Sequence, residues 1–343
     1  MAHDANRSGA TSGDLTKPTA VAAEMRRPGR RIVSIQYLRV LAALAVVAYH
    51  ADRNVFAGQA GVDIFFVISG YIMWMIARSE PTIVNFVSAR VTRIVPLYWL
   101  ATMIMALHQH APADAVVKSM LFIPFRGEWG RIWPILVQGW TLDYEMFFYA
   151  VIAVSLFVPS RRRLVVVLSA LIALSAIGAA HRFTDPLLRT YTNPMLLEFC
   201  LGIVLAEIHW GELPAKPLLI AAMFVVSIVL YALLPGTEHL VPWRVLAWGV
   251  PSALLVASAL ACEANWRVPS LGLPLLLGEA SYAIYLFHPF ILKTVLNLSG
   301  QNPLLGTVAV VVSASLLGVF VTWFLERPLL RFLRRRTWRV VPA

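Results

Sequence analysis

Residues 34–50 read SIQYLRVLAALAVVAYH. From Tyr37 to Tyr49 every side chain except Arg39 is apolar. A helix on the surface of a soluble domain shows an apolar stripe and a polar face. Here the apolar residues run all the way round, as in a helix that is wholly buried or solvated by lipid. Arg39 and His50 are the two exceptions. They lie eleven residues apart, close to three full turns, so they share one face with a rise of about 16.5 Å between them.

The same apolar texture extends over the whole chain. Of 343 residues, 59% are hydrophobic and 14% charged, against ~25% charged in soluble domains. Ten apolar segments can be drawn, at 33–51, 61–78, 94–109, 137–158, 164–180, 194–210, 217–234, 244–262, 274–296 and 304–325, with Pro, Gly or Arg at most joins. This excludes a soluble domain, a disordered chain, a fibrous protein and a soluble protein with a single anchor. The expected fold is all-α, a polytopic membrane helix bundle of about ten transmembrane helices. The long connection 110–136, with Trp129, Trp133 and Pro134, is expected to be re-entrant or interfacial. No internal repeat is visible, which counts against an inverted-repeat transporter. The two cysteines form no CxxC pair and sit in apolar segments, so neither a disulfide framework nor a Cys-rich metal site is expected.

The net charge of +11 has a topological explanation. Residues 1–31 are polar and end in Arg26, Arg27, Arg30 and Arg31 with no apolar core before them. They read as a disordered basic cytoplasmic tail rather than a signal peptide. Residues 32–326 then form the membrane domain and 327–343 a second basic tail. With both termini in the cytoplasm, the inner flanks carry 18 basic residues and the outer loops 7, as the positive-inside rule requires. An odd number of spans would spoil that bias.

Ionisable groups inside a bilayer cost roughly 2.5–3.5 kcal/mol each on insertion scales, so each is a functional candidate. In this topology Arg39 lies toward the cytoplasmic end and His50 toward the outer end. Asp63, in GVDIFFVISGYIMWM (61–75), enters level with His50. It either orients the imidazole as a general base or caps the helix start. Ser69–Gly70 reads as a close-packing pair. Arg90 and Arg93 share a helix face and serve either as inner anchors or as a grip for phosphates. Asp143 and Glu145 are about 200° apart around their helix, so they cannot form a carboxylate pair; Glu145, the deeper, is expected to face a wet cavity. Tyr282, Tyr285 and His288 form a polar stripe at i, i+3, i+6, before Pro289. Neither HExxH, a Walker loop nor GxSxG is present.

Taken together, AGVDIFFVISGYIM (60–73), NFVSARVTRIVPLYWL (85–100), QGWTLDYEMFFY (138–149), LGEASYAIYLFHPF (277–290), FLERPL (324–329) and the opening stretch resemble the integral-membrane acyltransferase family 3. Within it, SIQYLR, VDIFFVISGYIM and QGWTLDYEMFFY are most similar to members acting in exopolysaccharide production. The resemblance implies a membrane O-acetyltransferase in the bacterial inner membrane. It would move an acetyl group from cytoplasmic acetyl-CoA to a sugar hydroxyl of a lipid-linked exopolysaccharide or other surface glycan. It implies that His50 is the essential histidine and Arg39 its paired arginine. It also matches Arg90 and Arg93 to the family's Arg-x-x-Arg pair, and Trp140 and Glu145 to its W-x4-E element. On this reading His50, Asp63 and Glu145 are catalytic, and Arg39, Arg90 and Arg93 hold the CoA phosphates. Trp140, Tyr282, Tyr285 and His288 line the acceptor or oxyanion side. No metal and no nucleic acid are expected; partners are acetyl-CoA, the glycan, the bilayer and other polysaccharide assembly proteins. A carrier or flippase for a lipid-linked saccharide is the alternative.

Overall fold

The computed structural model describes residues 32–127, 130–213, 216–233, 244–300 and 302–337. The expected tail 1–31 and the end of the basic C-terminal tail lie outside them. Among the described residues the chain is helical, without strands; an isolated antiparallel bridge joins Arg126 and Ile132. We number the helices α1 Val33–Ala51, α2 Ala60–Arg78, α3 Ile83–Gln109, α4 Ala113–Met120, α5 Trp140–Ser155, α6 Ser160–Ala180, α7 Pro186–Tyr191, α8 Leu196–Glu207, α9 Pro217–Leu233, α10 Val250–Asn265, α11 Gly272–Leu298, α12 Pro303–Val321 and α13 Arg327–Thr337. A π-helical turn leads into α10 (Val245–Gly249) and another joins α12 to α13 (Thr322–Glu326).

Each of the ten apolar segments contains one helix. Seven helical stretches are long and apolar enough to cross a membrane: Val33–Ala51, Phe56–Arg78, Ile83–Gln109, Ser160–Ala180, Val245–Asn265, Gly272–Leu298 and Pro303–Leu333. The other three, α5, α8 and α9, are shorter, with 16, 12 and 17 residues. The third segment is longer than its apolar stretch suggests. α3 runs unbroken from Ile83 through Pro96 to Gln109, and so carries Arg90 and Arg93 on the same rod as the apolar span. A proline is tolerated inside a membrane helix when neighbouring groups satisfy the freed carbonyl. The 110–136 connection contains α4 and an irregular stretch closed by the Arg126–Ile132 bridge.

The ends of the helices have local and distant causes. Thr82, Asp185 and Asn302 accept hydrogen bonds from Asn85, Leu188 and Leu305 backbone N–H groups, capping α3, α7 and α12. His110, at φ +52°, closes α3 in the left-handed conformation. α1 is capped across the fold: the Glu263 carboxylate at the end of α10 accepts from Val33 N (2.9 Å) and Ser34 N (2.6 Å), where the helix dipole favours a negative charge. Arg163, one of the expected inner-flank arginines, is buried. It donates to the Ala77, Ser155 and Val158 carbonyls, covering the last turns of α2 and α5.

α2 is the central helix, with 78% of its span buried. It packs on α8 at backbone distance. A Cβ on Gly70 would stand 2.2 Å from the Phe199 carbonyl oxygen, and one on Gly202 2.1 Å from that of Val67. Two helices in lipid gain nothing from excluding water, so close van der Waals approach at small residues holds them together. α11 packs between α1 and α12 in the same way, through Gly278 against Gln36 and Gly318 against Ile284. Gly202→Ala is therefore expected to cost about 1–3 kcal/mol, read as a lowered thermal unfolding midpoint of the detergent-solubilised protein. Gly272→Ala, which meets nothing within 4 Å, is expected to leave the midpoint in place.

Candidate active site

A cavity of about 880 Å3, counted with its open mouth, lies between α1, α2, α3, α5 and α11. Six of the residues singled out from the sequence line it: Arg39, Arg90, Arg93, Glu145, Tyr282 and Tyr285. They come from four helices, and each faces inward because lipid offers the alternative face nothing to solvate an ion. Arg90 donates toward the Met73 sulfur at 3.6 Å. The charges that act on Arg39 are those of Arg93, Glu326 and Glu145. Glu145 makes no ion pair among the described residues. Its Oε1 accepts from Ser69 Oγ (3.1 Å) and from the Tyr149 hydroxyl in a short hydrogen bond. Ser69 thus does more than allow close packing.

The α11 stripe gives the cavity its long axis. Tyr282 donates to the Ile94 carbonyl (3.0 Å), next to Arg93. One turn further, the Tyr285 hydroxyl reaches Thr141 Oγ1 (3.0 Å) and the Gln138 carbonyl (3.2 Å). One turn beyond that, His288 is fully buried, and its ring centroid is 5.0 Å from that of His50. His50 Nδ1 lies 2.8 Å from the Val46 carbonyl oxygen, and His288 Nδ1 lies 2.7 Å from that of Tyr285. A carbonyl only accepts, so each Nδ1 carries the hydrogen and each Nε2 keeps its lone pair. His288 Nε2 is buried without a partner. His50 and His288 are not among the residues lining the cavity; they stand beyond Tyr285 at one end of its axis.

One expectation is corrected. Asp63 does not meet His50. It is fully buried, and its Oδ2 accepts from the Arg244 guanidinium at 2.8 Å. The Glu198 carboxyl also interacts with it. Arg244, counted from the sequence among the outer-loop charges, is buried at the entry to α10. A buried carboxylate takes the strongest donor in reach, and a guanidinium outcompetes a neutral imidazole. Trp140 and Glu145 also part company. Trp140 packs edge-on to Tyr144 (5.9 Å) and lines a second cavity with Asp143, on the other face of α5. Arg244 and Glu198 were missed as partners of Asp63 because each sits in a different segment from it. Among the described residues no group of three or more His, Cys, Asp or Glu side chains is arranged to hold a metal ion.

Residues 32–342 match the family model described as an acyltransferase domain, Acyl_transf_3. The chain belongs to this acyltransferase family. It is 43% identical over 293 residues to the exopolysaccharide production protein ExoZ of Rhizobium meliloti, covering 81% of this chain and 92% of that protein. It is 30% identical to the putative membrane-bound transacylase BcsY of Komagataeibacter xylinus (76% of this chain, 73% of that protein). It is 27% identical to the putative peptidoglycan O-acetyltransferase YrhL of Bacillus subtilis (88% and 55%). No solved structure matches the chain. Membership makes this protein an acyltransferase with membrane helices, and takes precedence over the carrier reading.

The family assignment leaves the buried Asp63–Arg244 pair with a structural task that can be measured. Arg244→Ala strands a buried carboxylate and is expected to cost about 3–5 kcal/mol in stability. Asp63→Asn combined with Arg244→Ala should recover part of that loss, because no unpaired charge remains. Thermal unfolding of the single and double variants gives the coupling directly. A pair that oriented His50 instead would show additive losses in stability and a separate loss of activity.

Proposed function

We propose that this acyltransferase moves an acetyl group from acetyl-CoA, supplied on the cytoplasmic side, to a sugar hydroxyl of a surface glycan or its lipid-linked precursor. The observation that carries this reading is the single line of polar groups through the bundle. Arg39, Arg90 and Arg93 gather in one cavity, and the α11 stripe leads from beside Arg93 past Tyr285 to the His288–His50 pair. Arginine clusters suit phosphates. The family, and the exopolysaccharide and peptidoglycan roles in the names of ExoZ and YrhL, support a glycan acceptor.

In the proposed reaction the CoA phosphates lie among Arg39, Arg90 and Arg93. The pantetheine arm runs along the cavity toward His50, a rise of about 16.5 Å from Arg39. The sugar oxygen attacks the thioester carbonyl as His50 Nε2 takes its proton. The C–S bond then breaks, the ester forms, and the proton leaves with the CoA thiol. Nδ1–H bound to the Val46 carbonyl supports this tautomer, the role expected of Asp63. Glu145, held by Ser69 and Tyr149, positions Tyr149 and the wall facing the arginines. Tyr285 and His288 bound the reacting end and Tyr282 lines the path to it from the arginines; Trp140, on the other face of α5, belongs to the acceptor side.

The same reading takes all ten apolar segments as spans, both termini as cytoplasmic and the bacterial inner membrane as the location. The domain limits are 1–31 for the first tail, 32–326 for the catalytic bundle and 327–343 for the second. Its support is the 18-to-7 bias of basic residues and the helix in each segment.

His50→Ala is expected to lower acetyl transfer from radiolabelled acetyl-CoA to glycan by about 10²–10⁴-fold at unchanged membrane insertion. Full transfer by that variant would overturn the scheme. Arg90→Ala with Arg93→Ala should raise the acetyl-CoA KM by about tenfold or more per lost phosphate contact while the acceptor KM stays in place. An unchanged acetyl-CoA dependence would return both arginines to membrane anchoring.

A further inference from the structure

The second cavity, about 850 Å3, shares no lining residue with the first. It lies between Arg126 and residues 130–133, the start of α5, α7 and the chain leading into α8. α5 is the wall between the two. Thr141, Leu142 and Glu145 face the arginine cavity, and Trp140, Asp143 and Tyr144 face this one. It stands at the His50 end of the bundle, since the same first turn of α5 carries Thr141, bonded to Tyr285, one turn from His288.

Its chemistry is specific. Trp133 and Trp140 put two indoles on its wall. Asp143 is buried, with 4% of its surface exposed, and makes no hydrogen bond or ion pair among the described residues. Arg131 and Arg189 are exposed and have no carboxylate partner among the described residues. Arg131 is not loose: its guanidinium lies 4.6 Å from the Trp133 ring centroid, which leaves its N–H edge for an anion. Arg126 fixes the frame by donating to the Gly130 (2.9 Å) and Thr184 (2.8 Å) carbonyls. That ties the loop bearing Arg131 to the segment preceding α7, which bears Arg189.

An indole stacks on the C–H face of a sugar ring, and a buried carboxyl without a partner suits hydroxyl donors. Two arginines on one cavity wall suit a negative group. A purely apolar ligand would leave Asp143 and both arginines unused, and a neutral sugar would leave the arginines unused. We propose that this cavity is a docking site for an anionic saccharide, a sugar carrying a carboxylate or a phosphate, gripped by Arg131 and Arg189 and hydrogen-bonded by Asp143. The site holds part of the acceptor beside the reacting hydroxyl rather than the hydroxyl itself, since His50 is not among its walls. The inference rests on the glycan acceptor proposed above.

The test is equilibrium binding to the full chain in nanodiscs, read by tryptophan fluorescence, with no acyl donor present. The probes are an oligogalacturonate, its carboxyl-reduced neutral counterpart and glucose 1-phosphate. At least one anionic probe is expected to bind about tenfold or more tightly than the neutral one. Arg131→Ala with Arg189→Ala should abolish that preference, and high salt should weaken it. The tighter of the two anionic probes distinguishes a sugar carboxylate from a sugar phosphate. Asp143→Ala should weaken all probes that bind, because it removes a hydrogen-bonding group common to them. Equal affinity for the neutral and both anionic probes, or a preference that survives loss of both arginines, overturns the proposal. Because no donor is present, a chain that binds the acidic sugar yet transfers no acetyl group would overturn the acyl-transfer scheme and leave this site standing.

Discussion

Inside a lipid-facing bundle there is no water to complete an unpaired polar group, and that constraint organises this protein. Every ionisable side chain within the helices must be paired, capped against a backbone carbonyl or turned toward a cavity. Arg163 takes the second route, covering the exposed carbonyls of two helix ends. Glu263 does the converse at the start of α1. Asp63 and Arg244 take the first, buried between the first turn of α2 and the entry to α10. Arg39, Arg90, Arg93 and Glu145 take the third route and line one cavity.

The same constraint explains how one helix serves two cavities. α5 is only 16 residues long, yet its first turns carry Trp140, Asp143 and Glu145. Successive residues turn by about 100°, so Asp143 and Glu145 point to nearly opposite sides. A helix with polar groups on two faces cannot rest one of them on lipid; both faces must look into the protein. The arginine-lined cavity and the second cavity are then a consequence of where α5 sits, between the α1–α2–α3–α11 group and the side formed by residues 130–133 and α7.

Much of this was legible in the sequence. The helices follow from apolar segments bounded by proline, glycine and arginine. The shared face of Arg39 and His50, the shared face of Arg90 and Arg93, and the α11 stripe follow from 3.6 residues per turn, a local property. The opposed orientation of Asp143 and Glu145 followed from the same arithmetic. Helix ends were less legible, as α3 shows: the apolar count began at residue 94, but hydrogen bonding in the helix ran back to Ile83 through polar residues and past Pro96.

Which groups meet across helices was a different question. Asp63 and His50 are close in sequence and level in the bilayer, yet Asp63 pairs with Arg244, 181 residues away, and the imidazole beside His50 comes from α11. Trp140 and Glu145 belong to one short motif but to two cavities. The sequence by itself determined an all-helical membrane bundle and the face each polar residue takes on its own helix, because periodicity and hydropathy act within a few turns; the acyltransferase reading came from the resemblance of its motifs to a family. Only the tertiary structure decided partners and cavities, because these depend on how closely glycines such as Gly70, Gly202 and Gly278 let distant helices approach, a distance no local pattern encodes.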